Sequence, residues 1–246
     1  MNGFRRRRPH RMLSSPSISV VVPLYNEEGN VAELQRQIRA ALSGRDYELV
    51  LVDDGSTDGT VSRVEKDDRV RLLEFEKNAG QSAAMHAGIH AARGDVIVTL
   101  DGDLQNDPAD IPALLAKIEE GWDLVCGYRA SRKDTAFKRL QSRIANAVRS
   151  RFVGDNVRDT GCTLKAMRRE CREALLLFHG MHRFIPALIG GMGWKVTEMP
   201  VNHRPRISGV SKYGFGNRAL KATMDMFGVR WLNSRRRSYR IKDTAH

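Results

Sequence analysis

Residues 18–43 read ISVVVPLYNEEGNVAELQRQIRAALS, and this stretch indicates the fold class. Its first six residues, ISVVVP, form a β-rich run that predicts a strand. Apolar residues then recur three and four positions apart, which predicts one face of an amphipathic helix. These residues are Val31, Leu34, Ile38 and Leu42. A strand followed at once by a helix is the repeating unit of an α/β protein.

The same alternation continues along the first half of the chain. Further strands are predicted at 47–54 (YELVLVDD), 70–75 (VRLLEF), 95–100 (DVIVTL) and 122–129 (WDLVCGYR). Helices are predicted near Asp58, at 80–92, and after Asp107, which can cap a helix with Pro108 at its first position. Alternating strands and helices imply parallel pairing with right-handed crossovers. We therefore expect a central, mostly parallel sheet flanked by helices on both faces.

The second half of the chain is less regular. A basic amphipathic helix is predicted over 136–153, strands within 159–167 and 193–201, and an amphipathic helix over 217–232. We expect three parts in the chain. They are a basic N-terminal tail at 1–16, a globular domain at 17–216, and the amphipathic helix with a basic tail at 217–246.

The 246 residues carry a formal net charge of +12, and the excess charge lies at the two ends. Residues 1–12 and 230–246 each hold five net positive charges. Such ends suit phospholipid headgroups or nucleic acid, although a basic terminus is most often a solvated tail. The apolar runs are far shorter than the roughly 20 residues of a membrane-spanning helix, and SSPSIS replaces the apolar region of a signal peptide. We therefore expect a cytoplasmic protein.

The run LDGDLQNDP at 100–108 places carboxylates directly behind a predicted buried strand. In extended backbone Asp101 and Asp103 share one side, and Gln105 continues the spacing with a neutral oxygen. Such oxygen ligands suit Mg²⁺ or Mn²⁺, and water and substrate phosphates take the remaining positions. An EF-hand loop counted from Asp101 lacks its required glycine, which excludes that Ca²⁺ site. Acidic residues can also cap the next helix, which we expect of Asp107, whereas Asp101 and Asp103 predict a metal-nucleotide site.

A second acidic cluster, VDDGSTDGT, occupies residues 52–60. A turn with Asp58 as a cap accounts for residues 55–59, so these residues need no functional role. Asp53 and Asp54 remain, and both suit hydrogen bonds to a nucleoside base or ribose. Because both acidic clusters follow strands, we expect them at the carboxyl edge of the sheet, where α/β proteins bind ligands.

Three other patterns are excluded by their surroundings. The three cysteines have neither metal-site nor disulfide spacing, so we expect buried thiols. His86 and His90 lie four apart, but Ala87 replaces the glutamate of the metalloprotease motif. GFGNRA at 214–219 fits the dinucleotide-binding glycine pattern, but it follows a basic loop and not a strand.

Seven short motifs occur in the order found in family 2 glycosyltransferases of the GT-A fold. They are VVVPLYNEEGNV, VDDGSTDGT, DGDLQNDP, GYR, DTGC, HRFIPAL and GVSKYG, and the match runs from about Ile18 to Leu232. The chain most resembles the branch of dolichol-phosphate mannose synthases and polyprenyl-phosphate glycosyltransferases. Many relatives carry C-terminal transmembrane helices, so this chain resembles a short, peripheral form.

The resemblance implies a role for each matching residue. The nucleotide-sugar pocket would contain Pro23, Tyr25, Glu27, Val52, Asp53, Asp54, Asp101, Gly102, Asp103, Gln105 and Arg129. The metal would be bound by Asp101, Asp103 and Gln105, and the acceptor phosphate by Arg206, Ser211 and Lys212. The catalytic candidates are Asp103, Arg129, Asp159, Arg206 and Lys212. Gly102 departs from the alanine often found there, and Asp159 is explained equally well by capping its own turn.

The resemblance implies a metal-dependent, inverting transfer of a sugar from a nucleotide donor to dolichyl or undecaprenyl phosphate. GDP-mannose is the first expected donor, and UDP-sugars remain open. The metal and arginines would stabilise the leaving diphosphate, and an acceptor phosphate ionised near neutral pH needs no strong general base. We expect a peripheral protein at the inner face of the cytoplasmic membrane, with an integral membrane partner or a second copy as possible partners.

Two alternatives stay open at this point. A family 2 transferase with a UDP-sugar donor and a soluble or glycan acceptor would act independently of membranes. A nucleic-acid-binding protein would use its basic ends and bind duplexes with steep salt dependence.

The apolar stripe of the last predicted helix either lies on an anionic membrane or packs against the domain. That stripe comprises Leu220, Met224, Phe227, Trp231 and Leu232.

Overall fold

The computed structural model describes residues 17–129, 150–155, 157–205 and 218–237, with side chains from residue 223 onward in the last range. Over these ranges seven strands form one sheet. The strands are β1 Ile18–Leu24, β2 Tyr47–Asp53, β3 Val70–Glu74, β4 Val96–Thr99, β5 Leu124–Arg129, β6 Lys165–Arg168 and β7 Val196–Val201. The helices are α1 Val31–Ala41, α2 Gln81–Ala91, α3 Ile111–Glu119, α4 Ile185–Gly191 and α5 Arg218–Arg235. Short 3-10 helices lie at Val61–Arg63, Pro108–Asp110, Arg169–Ala174 and Met181–Arg183.

The strand order is β3-β2-β1-β4-β6-β5-β7, and the pairs are parallel except where β6 takes part. This confirms the predicted mostly parallel α/β sheet. β6 runs antiparallel between β4 and β5, and its first residue, Lys165, pairs with Thr99 and Cys126. Because β6 is reversed, the turn that precedes it reaches the carboxyl ends of its parallel neighbours. The DTGC motif therefore joins the edge that carries the acidic loops.

The two faces of the sheet bury separate cores. On one face, Val20 and Val22 of β1 pack with the apolar stripe of α1 and with α3. On the other face, Val21 packs with α2 and α4. The predicted helix stripe is confirmed, since its four residues are fully buried: Val31, Leu34, Ile38 and Leu42. Burial on both faces explains why β1 reads as a continuous apolar run.

Several local predictions can be compared with the structure. Asp107 caps as predicted, because its Oδ1 accepts from Ala109 N at 3.0 Å ahead of Pro108, although a 3-10 turn precedes α3. The α-helix predicted near Asp58 is wrong: only a 3-10 helix at Val61–Arg63 follows, although Asp58 Oδ1 accepts from Thr60 N at 3.0 Å as a cap would. The helix α4, within the HRFIPAL motif and beyond it, was not predicted.

The cysteines and the remaining segments complete the comparison. All three cysteines are buried and free, as predicted, and burial raises the pKa of Cys126 to about 12. The predicted helix at 136–153 lies outside the described residues except at 150–153, which are helical. The last predicted helix is confirmed as α5. The three-part division of the chain stays a prediction.

Gly88 sets the distance between α2 and the sheet. A Cβ at this position would lie 2.4 Å from Val21 Cγ1 and 2.9 Å from Val52 Cγ2, both in the core. We expect Gly88→Ala to lower the free energy of unfolding by about 1 kcal/mol or more, because overpacking outweighs the gain in helix propensity. Gly228→Ala in α5 is the matched control, since nothing lies within 4 Å of its Cβ position. Urea denaturation should show loss at Gly88 and a small gain at Gly228; equal gains would contradict this account.

Candidate active site

Three neighbouring parallel strands end at one edge of the sheet, and a sequence motif follows each of them. β1 ends at Leu24, β2 at Asp53 and β4 at Thr99. The order β2-β1-β4 places the three following loops side by side. This confirms the prediction that both acidic clusters lie at the carboxyl edge of the sheet.

The loops after β1 and β2 are bonded into one unit. Asn26 has φ 53°, a left-handed conformation that asparagine tolerates better than most residues. Its backbone N donates to Ser56 Oγ at 2.9 Å, and its Oδ1 accepts from Thr57 N at 2.8 Å. Glu27 N donates to Thr60 Oγ1 at 2.8 Å. The turn residues of VDDGSTDGT therefore hold the loop that carries the predicted nucleotide-binding residues of β1.

The predicted pocket residues around β1 and β2 differ in exposure. Pro23 and Val52 are buried, and Val52 points at Gly88 in the core. Tyr25 and Glu27 are half-buried, so their side chains retain surface at the edge of the sheet. The geometry therefore offers Tyr25 and Glu27 for contact with a ligand, whereas the Val52 side chain supports the sheet.

Asp53 and Asp54 are both buried, and their carboxylates bond to neighbouring loops. Asp53 accepts from Ser56 N at 2.9 Å and from Ser56 Oγ at 2.5 Å. Asp54 Oδ1 accepts from Ala79 N at 2.7 Å, and its Oδ2 accepts from Gly80 N and Asn78 Nδ2 at 2.9 Å each. Asp54 thus fixes the loop that begins α2, while the predicted contact of these aspartates with a nucleotide stays a prediction.

The acidic loop after β4 is turned and not extended, so the premise that Asp101, Asp103 and Gln105 alternate along a strand is wrong. Residues 102–104 form a turn and a bend, and Leu104 has φ 60°. A left-handed leucine costs about 1–2 kcal/mol, and burial of its side chain in the first core offsets that cost. The turn is closed by Asp103 Oδ1, which accepts from Gln105 N at 3.1 Å.

Asp101 is held by groups that sequence reasoning did not find. Its Oδ1 accepts from Gln81 Nε2 at 2.7 Å, at the start of α2, and its carboxylate also bonds to the Thr163 side chain. Burial, and then the charge of Asp103, raise the pKa of Asp101 to about 6, while Thr163, the buried Lys165 and Gln81 act in the opposite direction. A cation bound beside Asp101 would favour its ionised form.

The chemistry of this loop fits a hard divalent cation. Asp101 and Asp103 offer carboxylate oxygens, and Gln105 Nε2 donates to Arg204 O at 3.4 Å, so the amide oxygen is the Gln105 atom that could bind a metal. Across the ranges that the structure describes, no cluster of three histidine, cysteine or acidic side chains could hold a metal ion. Two carboxylates and an amide would leave positions for water and a diphosphate, as Mg²⁺ prefers.

Gly102 lies between the two aspartates and against the end of β1. A Cβ there would lie 2.7 Å from Leu24 Cδ2 and 3.3 Å from Pro23 O. An alanine therefore requires the end of the Leu24 side chain to move. Gly102 brings the acidic loop and the loop after β1 into direct contact.

Arg129 and Asp159 form a pair that sequence reasoning did not predict. Arg129 Nε and Nη2 donate to the two Asp159 oxygens at 2.7 and 2.8 Å, which raises the pKa of the guanidinium. Asp159 Oδ1 also accepts from Gly161 N at 3.1 Å, so it caps its own turn and orients the arginine at once. The charge of Asp101 also raises the pKa of Arg129, which places both groups in one electrostatic neighbourhood.

The remaining predicted residues, Arg206, Ser211 and Lys212, lie outside the described residues. The chain immediately before them runs along the acidic loop. Arg204 N donates to Gln105 O at 2.8 Å, and Arg204 Nη2 lies 2.6 Å from Asp107 Oδ2.

The family model described as glycosyl transferase family 2 matches residues 19–176, which include the loops after β1, β2 and β4 and the Arg129–Asp159 pair. The chain belongs to glycosyltransferase family 2. It is therefore a glycosyltransferase, as its resemblance implied.

Two relatives place this glycosyltransferase within the family. It is 41% identical over 228 residues to a dodecaprenyl-phosphate galacturonate synthase from Rhizobium johnstonii, covering 88% of this chain and 67% of that protein. It is 44% identical over 207 residues to an undecaprenyl-phosphate 4-deoxy-4-formamido-L-arabinose transferase from Shewanella sediminis, covering 81% and 62%. The chain thus spans about two thirds of the length of these relatives. Their names confirm the predicted resemblance to the polyprenyl-phosphate branch.

Solved structures confirm the GT-A fold of the glycosyltransferase. A glucosyl-3-phosphoglycerate synthase from Mycobacterium tuberculosis, in complex with Mn²⁺, UDP and phosphoglyceric acid, superposes with a TM-score of 0.66 at 20% identity. The superposition covers 91% of this chain and 80% of that one. Among the helices of the described ranges, none has the length and apolar character needed to cross a bilayer.

The histidine of the HRFIPAL motif has a strongly lowered pKa. His182, from HRFIPAL, is half-buried, and its Nδ1 lies 2.8 Å from Ser82 Oγ on α2. Burial, and then the charge of Arg183, lower the pKa of His182 to about 3. Its imidazole is therefore neutral near pH 7 and does not supply positive charge for a phosphate. Ser82 belongs to no motif found in the sequence, so the contact between Ser82 and His182 is evident only from the packing of α2 against Met181–Arg183.

Proposed function

We propose that this glycosyltransferase transfers a sugar from a nucleotide-diphosphate sugar to polyprenyl phosphate and forms a polyprenyl-phosphate sugar. The observation that carries the proposal is the acidic loop after β4 facing the Arg129–Asp159 pair at one edge of the sheet. A cation site beside a fixed guanidinium suits a reaction with a phosphate in both donor and acceptor. The polyprenyl phosphates named in the relatives support this choice.

The donor side uses the loops after β1, β2 and β4. Tyr25 and Glu27 would contact the nucleoside, and Asp101, Asp103 and Gln105 would hold Mg²⁺ or Mn²⁺. When bound there, the cation supplies electrostatic stabilisation to the leaving diphosphate. Asp54 acts through the loop before α2, because that loop places Gln81 against Asp101.

The acceptor side uses fixed positive charge. Arg129, which donates two hydrogen bonds to Asp159, would orient the acceptor phosphate or the donor diphosphate. Further phosphate-binding residues would be Arg206, Ser211 and Lys212. Preorganised donors stabilise charge without reorganising during the reaction. A phosphate oxygen that is already ionised attacks the anomeric carbon directly, with inversion, so a neutral His182 is compatible with this chemistry.

For the donor, we propose a UDP-sugar of the uronic acid class in place of GDP-mannose. The relatives named above carry galacturonate and a formamido-arabinose in their names, and neither name contains mannose. GDP-mannose stays a prediction and belongs in the same assay. We assign the catalytic unit to residues 17–216 and place the protein at the inner face of the cytoplasmic membrane, because its acceptor is a lipid.

A donor panel tests the proposal directly. The purified chain is incubated with undecaprenyl phosphate in detergent, Mn²⁺ or Mg²⁺, and UDP-galacturonic acid, UDP-glucose, UDP-N-acetylglucosamine or GDP-mannose. We expect one UDP-sugar to give a glycolipid detected by mass spectrometry, with no product when EDTA removes the metal. Release of nucleotide without glycolipid would disprove the lipid acceptor and favour a soluble or glycan acceptor. Absence of donor binding with every nucleotide sugar would overturn the donor site as well.

A further inference from the structure

Large apolar side chains are exposed in one region of the described chain. They are Leu176, Leu177, Met224, Phe227 and Trp231, with between 47% and 66% of each residue exposed. We call these five residues the α5 patch. Exposed apolar groups that cluster in this way mark contact surfaces, whereas scattered ones need no explanation.

Three members of the patch form a stripe on α5. Met224, Phe227 and Trp231 lie three and four positions apart, so they share one side of the helix. Positions 226, 229 and 233 lie on the opposite side at about 100° per residue. Val229 is buried there, Met226 packs on the second core, and Asn233 Nδ2 donates to Ala187 O at 2.9 Å.

The prediction that the last helix packs against the domain is confirmed for one of its sides, and the prediction that it lies on a membrane stays a prediction for the other. α5 is fixed to the domain through Val229 and its neighbours, including the partly buried Leu232 of the predicted stripe. The side with Met224, Phe227 and Trp231 remains exposed. Because the inner side is anchored, the outer stripe is presented as a rigid surface.

Leu176 and Leu177 extend the patch from a segment that runs beside α5. Arg236 Nη2 donates to Ala174 O at 2.5 Å at one end of this segment. At the other end, a Cβ on Gly180 would lie 3.2 Å from Asp225 Oδ2. The two leucines lie between these contacts, so they border the same helix.

The surroundings of the patch are strongly basic. Residues 218–237 contain six arginines and lysines and a single acidic residue, Asp225. Arg230, Arg235 and Arg237 are exposed. Apolar side chains that include tryptophan and phenylalanine, beside arginines, match the surface of an anionic bilayer. A second copy of the chain fits less well, because a symmetric contact through this patch would bring the arginines of both copies together.

The patch is also close to the candidate active site. Gly180, which contacts Asp225 near the N-terminal half of α5, donates its N to Ser82 Oγ at 3.0 Å. Ser82 follows Gln81, which bonds to Asp101. A membrane contacting the α5 patch would therefore lie beside the edge of the sheet that carries the acidic loop.

We propose that the α5 patch docks the enzyme on an anionic phospholipid surface, with the apolar stripe in the headgroup region and the arginines on the anionic lipids. The proposal rests on the proposed function in one respect: a lipid-linked acceptor explains why the active site needs to face the bilayer. Docking itself is a property of the patch and is measured without any substrate.

Vesicle flotation tests docking. The probes are vesicles of phosphatidylcholine alone and of phosphatidylcholine with phosphatidylglycerol. We expect the wild type to float with the anionic vesicles, and the combined change Met224→Ser, Phe227→Ser and Trp231→Ser to weaken binding by tenfold or more. The matched charge variants are Arg235→Ser with Arg237→Ser, and Arg36→Ser with Arg39→Ser on α1, which covers the opposite face of the sheet. The first pair should lose about tenfold or more, and the second little.

Two further measurements keep docking separate from catalysis and from self-association. With a short-chain, water-soluble polyprenyl phosphate, the serine variant should keep wild-type transfer, and with vesicle-embedded acceptor it should lose it. If the variant floats as well as the wild type, or if the patch only holds a dimer that light scattering shows to dissociate in the variant, the docking proposal is overturned. If docking persists while no polyprenyl phosphate is glycosylated, the proposed function fails and docking stands.

Discussion

Asp103→Asn is expected to lower kcat/KM for sugar transfer by about 10²–10³-fold. A carboxylate that helps to hold a divalent cation supports several kcal/mol of charge stabilisation, and each 1.36 kcal/mol corresponds to tenfold in rate. Asparagine keeps the shape and one oxygen, so the turn closed by Asp103 and Gln105 N can persist. Steady-state assays over a range of Mn²⁺ concentrations should show both a lower maximal rate and a weaker response to metal.

Asp107→Asn is the control for this substitution, because it makes the same chemical change in the same loop. Asp107 caps the turn before α3 and pairs with Arg204, and we assign it no part in the metal site. Asparagine caps a turn about as well as aspartate, so the change should cost at most about 1 kcal/mol of stability, through the weakened pair with Arg204, with only a small effect on transfer. Equal transfer rates for Asp103→Asn and Asp107→Asn would show that Asp103 does not bind the cation.

Asp54→Ala is expected to destabilise the protein by about 3 kcal/mol or more. The change removes the buried, charged acceptor of Asn78 Nδ2, Ala79 N and Gly80 N, and a hydrogen bond to a charged group contributes about 1.5–3 kcal/mol. For a chain of this size the melting temperature should fall by roughly 6 °C or more.

Asp46→Ala is the control, since this aspartate is exposed just before β2, and its loss should change stability by about 0.5 kcal/mol at most. Thermal melts followed by circular dichroism measure both variants. If Asp54→Ala is as stable as the control, the bonds to the α2 loop contribute little, and its carboxylate is more simply explained as a nucleotide ligand.

The sequence predicted the strands well because their signals are local. β1 and β4 are short apolar runs, buried on both faces, and such runs are legible without knowledge of their partners. The turn and cap at Asp107 and Pro108 could be predicted for the same reason, since both act within three residues. The α-helix predicted near Asp58 is only a 3-10 helix at Val61–Arg63, although Asp58 bonds to Thr60 N as a cap would. A cap signal alone therefore does not determine how long the following helix is.

The sequence by itself determined the α/β class, the edge of the sheet that carries both acidic loops, and the family to which the motifs belong. Only the tertiary structure decided how the candidate site is assembled. Gln81 against Asp101, Arg129 against Asp159, and the two sides of α5 depend on residues 20 or more positions apart, or on packing against the domain. Motif spacing indicates the local conformation of a segment. These contacts, in contrast, form only because the reversed β6 and the packing of α2 bring distant segments to the carboxyl edge of the sheet.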